Sequence, residues 1–152
     1  MAALDSTNVA ILKHLSDGRI PYSVIARRVG VTENTVRARV ARMVDDGLLQ
    51  ISGFVDPERI DGLEVLYVGV KLDTMNLGAK AEELSEVEGV VASAVVTGRY
   101  DIILTVVLSP SRSLLDFFTG EISSVENIAS VETFVVYQGY KVRVPMMDGE
   151  GL

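Results

Sequence analysis

The first third of the chain is organised by residues 21–47, which read PYSVIARRVGVTENTVRARVARMVDDG. Apolar residues recur at helical spacing on both sides of Gly30 and make one stripe in each half: Tyr22, Ile25, Ala26 and Val29, then Val36, Val40, Met43 and Val44. Gly30 can adopt the left-handed conformation that ends a helix, and Thr32 offers a hydroxyl oxygen that can cap the next one. Two short helices joined by a glycine-containing turn are typical of a helix-turn-helix.

The polar side of the second helix is rich in arginine. Guanidinium groups match phosphate oxygens and guanine edges, so we predict that this surface faces double-stranded DNA. In a helix-turn-helix the N-terminal part of the second helix reads bases. We therefore expect base contacts from Glu33, Asn34, Thr35 and Arg37, with Thr32 at the helix start, and phosphate contacts from Arg27, Arg28, Arg39 and Arg42. Two alternatives stay open: the arginines form only a solvated face, or Arg39 braces the fold.

Composition narrows the class of protein. The chain has 152 residues, 48% of them hydrophobic, which suits one domain or two small ones and excludes disorder. The absence of cysteine excludes disulfides and thiolate metal sites. No apolar run approaches the roughly 20 residues that span a bilayer, and the opening MAALDSTN lacks the pattern of a secretion signal. We expect a cytoplasmic protein with no membrane contact.

The net charge of −7 is unevenly distributed. Residues 1–55 hold seven basic and five acidic side chains, a balance of +2, so the remaining 97 residues carry −9. A basic first third on an acidic remainder would direct one face of the protein toward DNA.

The segments around this stretch suggest two domains. Asp5 can cap a preceding helix whose inward residues are Leu4, Ile11, Leu12 and Leu15 and which ends at 16–18. Residues 48–56 are predicted to form a short strand, followed by a turn-rich stretch up to Gly62. We predict a helix-turn-helix domain over 1–50, a strand and linker over 51–62, a second domain over 63–145 and a tail over 146–152.

The second domain alternates between strand and helix patterns. Strands are predicted at 63–72, 90–97, 101–108 and 131–144, with Leu66, Val68, Val70 and Leu72 on one face of the first. Asn76 is predicted to cap a helix that runs through Glu88 and directs Leu77, Ala81 and Leu84 inward. Ser109 or Ser111 is predicted to cap a second helix, whose inward residues are Leu114, Phe117, Phe118 and Ile122. The order βαββαβ is that of the ferredoxin-like antiparallel sheet with both helices on one face, so the fold class is α+β.

The other face of this sheet is also expected to be partly apolar, through Tyr67, Val135 and Tyr137 with the small Gly69 and Gly139. An apolar face without helices over it indicates a partner surface. We predict a two-fold dimer formed through residues 63–72 and 131–142, which would place two second helices on a palindromic DNA site.

Taken together, these residues resemble the leucine-responsive and asparagine-responsive (Lrp/AsnC) family of transcription regulators. The first domain follows the family pattern with Leu4-Asp5, Asn8, Ile11-Leu12, Gly18-Arg19, Val29-Gly30-Val31-Thr32 and Arg39-Val40. In the second domain the most specific match is Val96-Thr97-Gly98-Arg99-Tyr100-Asp101, with Thr133 at the start of the last strand. The resemblance covers nearly the whole chain and implies dimers that assemble further into tetramers or octamers. It also implies an amino acid or related small molecule bound at the interface between dimers.

By resemblance, the effector site lies at Thr97, Gly98, Arg99, Tyr100 and Asp101. On chemical grounds, Glu132 and Thr133 would add polar contacts from a neighbouring subunit. Chemically, Gly98 would expose an N–H to a carboxylate, Arg99 would pair with that carboxylate, and Asp101 would bind the ammonium group. Alternatively, Gly98 only turns the hairpin and Asp101 only bonds its own backbone.

The sequence also bears on two other classes of function. An enzyme on the ferredoxin-like sheet is disfavoured, because residues 63–145 lack histidine, cysteine and a carboxylate pair at catalytic spacing. An architectural protein that coats DNA without responding to an effector stays open. We expect no enzyme activity, catalytic residue, metal or cofactor.

Overall fold

A computed structural model describes residues 4–16 and 18–146. The chain divides into two compact units, Met1–Ser52 and Gly53–Leu152. Each unit has its own hydrophobic core.

The first unit consists of three helices: α1 (Ser6–Leu15), α2 (Tyr22–Val29) and α3 (Glu33–Asp45). The predicted helix ends are confirmed: Asp5 accepts a hydrogen bond from the Asn8 N–H at 2.7 Å, Gly30 has a φ of 78°, and Thr32 accepts from the Thr35 N–H at 3.2 Å. Ile11, Ile25, Val36, Val40 and Met43 form its core with Ala26, while other members of the predicted stripes lie partly buried around it. Leu4 and Val44, which we expected to face inward, are exposed instead. We predicted that α1 ends at residues 16–18, and of these Asp17 lies outside the described residues.

The second unit contains the predicted βαββαβ order. Its strands and helices are β1 (Phe54–Val55), β2 (Glu64–Leu72), α4 (Leu77–Ser85), β3 (Val90–Val95), β4 (Ile102–Leu108), α5 (Leu114–Asp116), β5 (Ile128–Val135) and β6 (Val144–Pro145). A short 3-10 turn, Pro57–Arg59, follows β1, and α5 continues as a π-helical turn, Phe117–Glu121, and a 3-10 turn, Ile122–Ser124. The four long strands form an antiparallel sheet in the order β3-β4-β2-β5, while β1 and β6 pair separately.

The helices cover one face of this sheet, as predicted. Leu66, Val68, Val70 and Leu72 pack with alternate residues of β4 and with the expected inward residues of the two helices: Leu77, Ala81, Leu84, Leu114, Phe117, Phe118 and Ile122. Alternation in β2 therefore separates this buried face from an opposite face, which carries Val65, Tyr67 and Gly69.

Several predicted boundaries are wrong. Residues 48–52 form no strand, because the Leu48 and Leu49 N–H groups bond back to the Met43 carbonyl at 2.9 and 3.0 Å and close the end of α3. Helix α4 ends at Ser85 instead of Glu88, and Asn76 precedes it without a side-chain capping bond. The cap of α5 is Ser113, which forms a capping box with Asp116, whereas Ser109 and Ser111 bond each other at 2.9 Å.

The last predicted strand is also shorter than expected. It ends at Val135, near the start of its partner β2 at Glu64, and the last backbone bond of the pair joins the Val136 N–H to the Val65 carbonyl at 2.9 Å. Residues 136–143 then leave the sheet, and β6 returns beside β1.

The returning segment covers part of the opposite face of the sheet, which we expected to be uncovered. Val142 and Val144 pack with Val55, Val65 and Val107, so one end of that face is covered by the chain itself. The register also places Phe134, not Val135, beside Tyr67; Val135 lies opposite Leu66 and therefore on the helix-covered side. What stays uncovered is a surface made by Tyr67 and Phe134, with the exposed Tyr137 and Tyr140 on the returning segment. We call these four residues the aromatic surface.

Candidate nucleic-acid interface and effector loop

The exposed side of α3 is defined by its buried stripe. Because Val36, Val40 and Met43 face the core, a helix of about 3.6 residues per turn directs positions 34, 38 and 41 directly away from it. Asn34, Ala38 and Ala41 are accordingly exposed, and the small alanines make the centre of this side shallow. Sequence reasoning missed Ala38 and Ala41, although the spacing of the apolar stripe already indicates where they point.

Arg37 and Arg42 lie on the two flanks of this exposed side. Arg37 donates to Glu33 at 2.9 Å and its guanidinium lies 5.5 Å from the centre of the Tyr22 ring, while 63% of its side chain stays accessible. Arg42 lies 3.8 Å from Asp46 and is 73% accessible. Both carboxylate partners are on or next to the same helix, so these two ion pairs do not tie either arginine to another element.

The other predicted residues divide into two groups. Arg27 and Arg28 are exposed in the last turn of α2, beside the turn that leads into α3. The Thr32 and Thr35 hydroxyls are 2.8 Å apart and belong to the cap of α3.

Arg39 behaves differently from these arginines. Its Nη1 atom donates to Asp5 Oδ2 at 2.6 Å and to Asn8 Oδ1 at 2.9 Å, which links α3 to the start of α1. The hydrogen bond from Arg39, together with the bond from the Asn8 N–H, holds the pKa of the Asp5 carboxyl below its ordinary value. The bracing alternative therefore describes what Arg39 does in this structure. The roles of Asp5 and Asn8 as its acceptors were not anticipated.

In the second unit the loop between β3 and β4 carries the predicted effector residues. Thr97, Gly98 and Arg99 are exposed, and Gly98 has a φ of 128°, a conformation that favours glycine. Apart from its chain neighbours, nothing in the described part of the chain lies within 4 Å of the position a Cβ of Gly98 would take. The backbone at Gly98 is thus accessible to a ligand.

Asp101 closes this loop against β2. Its Oδ1 accepts from Lys71 Nζ at 2.7 Å and its Oδ2 from the Leu72 N–H at 2.9 Å. The Leu72 N–H is available because the pairing of β2 with β4 ends at Val70 and Ile102, which leaves Leu72 without a backbone partner on that side. The Lys71 ammonium first, and the Leu72 N–H second, hold the pKa of Asp101 below its ordinary value. Asp101 thus bonds a neighbouring strand, which neither sequence alternative foresaw.

Arg99, Tyr100 and Glu132 form a polar cluster on the uncovered face of the sheet. The Tyr100 hydroxyl donates to Glu132, Arg99 lies 3.0 Å from the same carboxylate, and its guanidinium lies 5.5 Å from the centre of the Tyr100 ring. Donation to Glu132 raises the pKa of Tyr100, because ionisation of the phenol would break that bond. Phe134 contacts the ring edge-on, with centroids 6.3 Å apart.

The cluster depends on Gly69, which sequence reasoning assigned only to a small-residue face. A Cβ on Gly69 would lie 2.7 Å from atoms of the Tyr100 ring, so the ring lies directly over that glycine. Glu132 is the β5 residue opposite Gly69, whereas Thr133 is opposite Val68 and therefore on the helix-covered side. Within one chain, then, the fold brings Arg99, Tyr100 and Glu132 together and separates Thr133 from them.

Two further properties concern metals and membranes. Among residues 4–16 and 18–146, no group of three or more metal-ligating side chains could hold an ion. In the same residues, no helix is long and apolar enough to cross a bilayer.

A helix-turn-helix unit joined to a ferredoxin-like sheet with an exposed polar loop defines a class of two-domain DNA-binding regulators. Comparison with known proteins identifies the group: residues 4–44 match the AsnC-type helix-turn-helix domain and residues 65–146 match the Lrp/AsnC ligand binding domain. The chain belongs to the Lrp/AsnC family of transcription regulators.

Relatives and solved structures extend over nearly the whole chain. An uncharacterised helix-turn-helix regulator of Pyrococcus horikoshii is 33% identical over 135 residues, 88% of this chain and 85% of its own length. The regulatory protein AsnC of Haemophilus influenzae is 29% identical and covers 91% of this chain and 94% of its own. The structure of a transcriptional regulator from Neisseria meningitidis in complex with L-methionine has a TM-score of 0.68 at 18% identity, covering 95% of this chain and 97% of that one. The chain is therefore a DNA-binding transcription regulator with a ligand-binding domain.

Proposed function

We propose that this regulator recognises particular DNA sequences through α3, works as a dimer or larger assembly, and responds to an amino acid or a related small molecule. The proposal that α3 recognises DNA rests on the exposed side of this helix, where a shallow centre is flanked by two accessible arginines.

In the proposed complex the N-terminal part of α3 enters the major groove. Glu33, Asn34, Thr35 and Arg37 are positioned there to meet base edges. Arg42 on one flank, with Arg27 and Arg28 at the end of α2, would contact phosphates, and Thr32 would hold the helix start in place. The shallow surface at Ala38 and Ala41 allows the helix axis to approach the base pairs closely.

The DNA proposal is tested by selecting 30-base-pair duplexes from a random pool with the full chain. Affinities for the selected duplex and for a scrambled duplex of equal composition are then compared across salt concentrations. A sequence-specific regulator should prefer the selected duplex by about a thousandfold or more, and equal affinities would favour the architectural alternative. Arg42→Ala should reduce the slope of log affinity against log salt by roughly 0.9, the value for one lost phosphate contact. If Arg37→Ala and Arg42→Ala both left affinity unchanged, this surface would be wrong.

The proposed dimer forms through the aromatic surface. Tyr67 and Phe134 are uncovered on the sheet, and Tyr137 and Tyr140 are 100% and 83% exposed in the single chain. Such a concentration of exposed aromatic side chains is typical of a surface that a partner covers. A second copy would bury this surface and present two α3 helices to a palindromic site.

Assembly is tested by light scattering at micromolar concentration. We expect the unmodified chain to be at least a dimer and Tyr137→Asp to be a monomer, because the substitution places an unpaired charge in the interface. Met75→Asp is the matched control, since Met75 is 91% exposed but lies outside the aromatic surface. A monodisperse monomer for the unmodified chain would reject the dimer.

The proposed effector binds at the loop of Thr97, Gly98 and Arg99 beside Tyr100 and Glu132. The exposed Gly98 backbone and the accessible Arg99 guanidinium suit a carboxylate, and Glu132 suits an ammonium group. Asp101 would hold the loop in shape, since both its oxygens are engaged. Thr133 would take part only from a neighbouring subunit. The methionine complex of the Neisseria meningitidis regulator supports an amino acid as the class of ligand.

Calorimetry with the twenty amino acids on the full chain tests this site. A binding amino acid should lose affinity for Arg99→Ala and, through the loop, for Asp101→Ala. Equal binding to both variants and to the unmodified chain would place the ligand elsewhere. The proposal requires no cofactor, metal or catalytic residue, and a regulator of this kind would act in the cytoplasm, where it meets DNA.

A further inference from the structure

We infer that Arg39 is a positioning residue: by binding Asp5 and Asn8 it holds α1 against the middle of α3 and so sets the angle at which α3 meets DNA. This inference rests on the proposed use of α3 as the DNA-contacting helix. It removes Arg39 from the expected phosphate contacts.

The position of Arg39 on α3 supports this assignment. It lies three residues after Val36 and four before Met43, so it borders the buried stripe. Its side chain is 34% accessible, compared with 63% for Arg37 and 73% for Arg42. Arg39 is therefore directed toward the neighbouring helix, whereas the other two are directed toward solvent.

The acceptors of Arg39 are themselves fixed in place. One oxygen of Asp5 caps α1 through the Asn8 N–H, and the other receives Arg39 at 2.6 Å. Asn8 is one of the few buried polar residues of the described chain, and its side-chain oxygen also accepts from Arg39. A single guanidinium nitrogen thus connects the first turn of α1 to the centre of α3.

The hydrogen bonds of Arg39 make the contact between α1 and α3 directional, whereas the rest of that contact is apolar. Ile11 and its neighbours bury area between the helices, but burial of apolar surface is non-directional. A charge-assisted hydrogen bond fixes distance and angle as well. Loss of the bond should leave the three helices packed while allowing α3 to change its tilt, and a misplaced recognition helix binds DNA more weakly.

The decisive variant is Asp5→Ser in the full chain. Serine retains the N-cap of α1 but is too short to reach Arg39. If Arg39 is a positioning residue, Asp5→Ser should weaken binding to the selected duplex about tenfold. If Arg39 is a phosphate contact, the same variant should tighten binding, because it removes a carboxylate that competes for the guanidinium and repels DNA. The two roles therefore predict effects of opposite sign.

Further variants complete the test. Arg39→Ala should weaken binding by a similar factor without changing the salt slope, and the double variant should bind no more weakly than Arg39→Ala alone. Glu82→Ser is the matched control, since it removes an exposed carboxylate from α4, outside the helix-turn-helix, and should leave binding unchanged or slightly tighter. Circular dichroism melting curves identify variants that are folded at the assay temperature. Should Asp5→Ser be unfolded there, Asp5→Asn, which retains the cap, replaces it, and binding weaker than that of the unmodified chain is expected.

Three results would overturn the inference: tighter binding by Asp5→Ser, unchanged binding by that variant when folded, or a salt slope reduced by roughly 0.9 in Arg39→Ala. In each of these cases the unmodified chain still binds DNA, so the proposed function would stand. If the unmodified chain bound neither selected nor random DNA at low salt, the proposed function would fail, and the inference with it.

Discussion

Adding one methyl group to Gly69 should disturb the cluster of Arg99, Tyr100 and Glu132 beside the loop that joins β3 and β4. In Gly69→Ala the new Cβ would lie 2.7 Å from the Tyr100 ring, whereas ordinary contacts between carbon atoms begin near 3.5 Å. The ring would have to move by roughly 0.8 Å or more. It cannot do so freely, because its hydroxyl is bonded to Glu132 and its edge contacts Phe134.

The size of the effect follows from two opposing terms. Overpacking of this kind costs about 1–3 kcal/mol, while replacing glycine by alanine inside a strand stabilises by about 0.5–1 kcal/mol. The steric term is larger, so we expect a net loss of about 1–2 kcal/mol in the free energy of unfolding. In a Tyr100→Ala background the steric term disappears, and the same Gly69→Ala change should stabilise by about 0.5 kcal/mol.

Urea unfolding followed by circular dichroism measures all four chains of this cycle. Gly78→Ala is the control: Gly78 lies in α4, and apart from its chain neighbours and its own helix no described atom lies within 4 Å of the position of its Cβ. Alanine there should stabilise by up to about 1 kcal/mol. If Gly69→Ala were neutral or stabilising in the unmodified chain, or if its effect were the same with and without Tyr100, the ring would not lie over Gly69 in solution.

Two other perturbations test the surfaces separately. Ala38→Glu should weaken DNA binding at least about tenfold without lowering stability, because it places a negative charge at the centre of the exposed side of α3; Ala79→Glu on α4 is the matched control, and equal affinities of the two variants would contradict the docking face. Asp101→Asn should be less stable than the unmodified chain at neutral pH, and the difference should disappear as pH falls below about 4. The sign follows because the pKa of Asp101 is lowered in the folded chain: its contribution is present above the ordinary carboxyl value and is lost as pH falls through the folded value. A difference that persisted at pH 2 in urea titrations would show that the charge of Asp101 is not responsible.

Periodicity was sufficient to predict the order of helices and strands but not where they stop. The three helices of the first unit and the βαββαβ order follow from spacings of about 3.6 and 2 residues, which are local properties. The end of β5 is not local. The apolar run continues past Val135, yet pairing stops after Val136, close to the start of β2 at Glu64. A strand needs a partner, and the length of the partner is not visible in the strand itself.

The loop between β3 and β4 shows the same limit for side chains. Gly98, Arg99 and Asp101 were recognisable from the sequence, and their types suggested a zwitterionic ligand. Which groups stay available depends on Lys71 and Leu72, some 30 positions away in sequence, and on the end of the β2–β4 pairing at Val70, which leaves the Leu72 N–H for Asp101. Contacts of this kind between strands are set by the tertiary register. The sequence alone therefore identified the residues but did not show which of them stay available to a ligand and which are bonded within the fold.

For α3, by contrast, the sequence also indicates the angular position of each arginine around the helix, which the basic character of the face does not convey. Treating every arginine after Thr32 as part of one DNA-facing surface ignores the angle between them. Once Val36, Val40 and Met43 are taken as the buried stripe, a turn of about 3.6 residues places Arg37 and Arg42 on opposite flanks and Arg39 at the border of the core. An arginine at such a border lies within reach of the neighbouring helix, so its guanidinium favours an acceptor there. Asp5 and Asn8, at the start of α1, supply it. The distinction between a residue that contacts DNA and one that positions the helix was therefore available from the angle on α3, and only the identity of the acceptors required the fold.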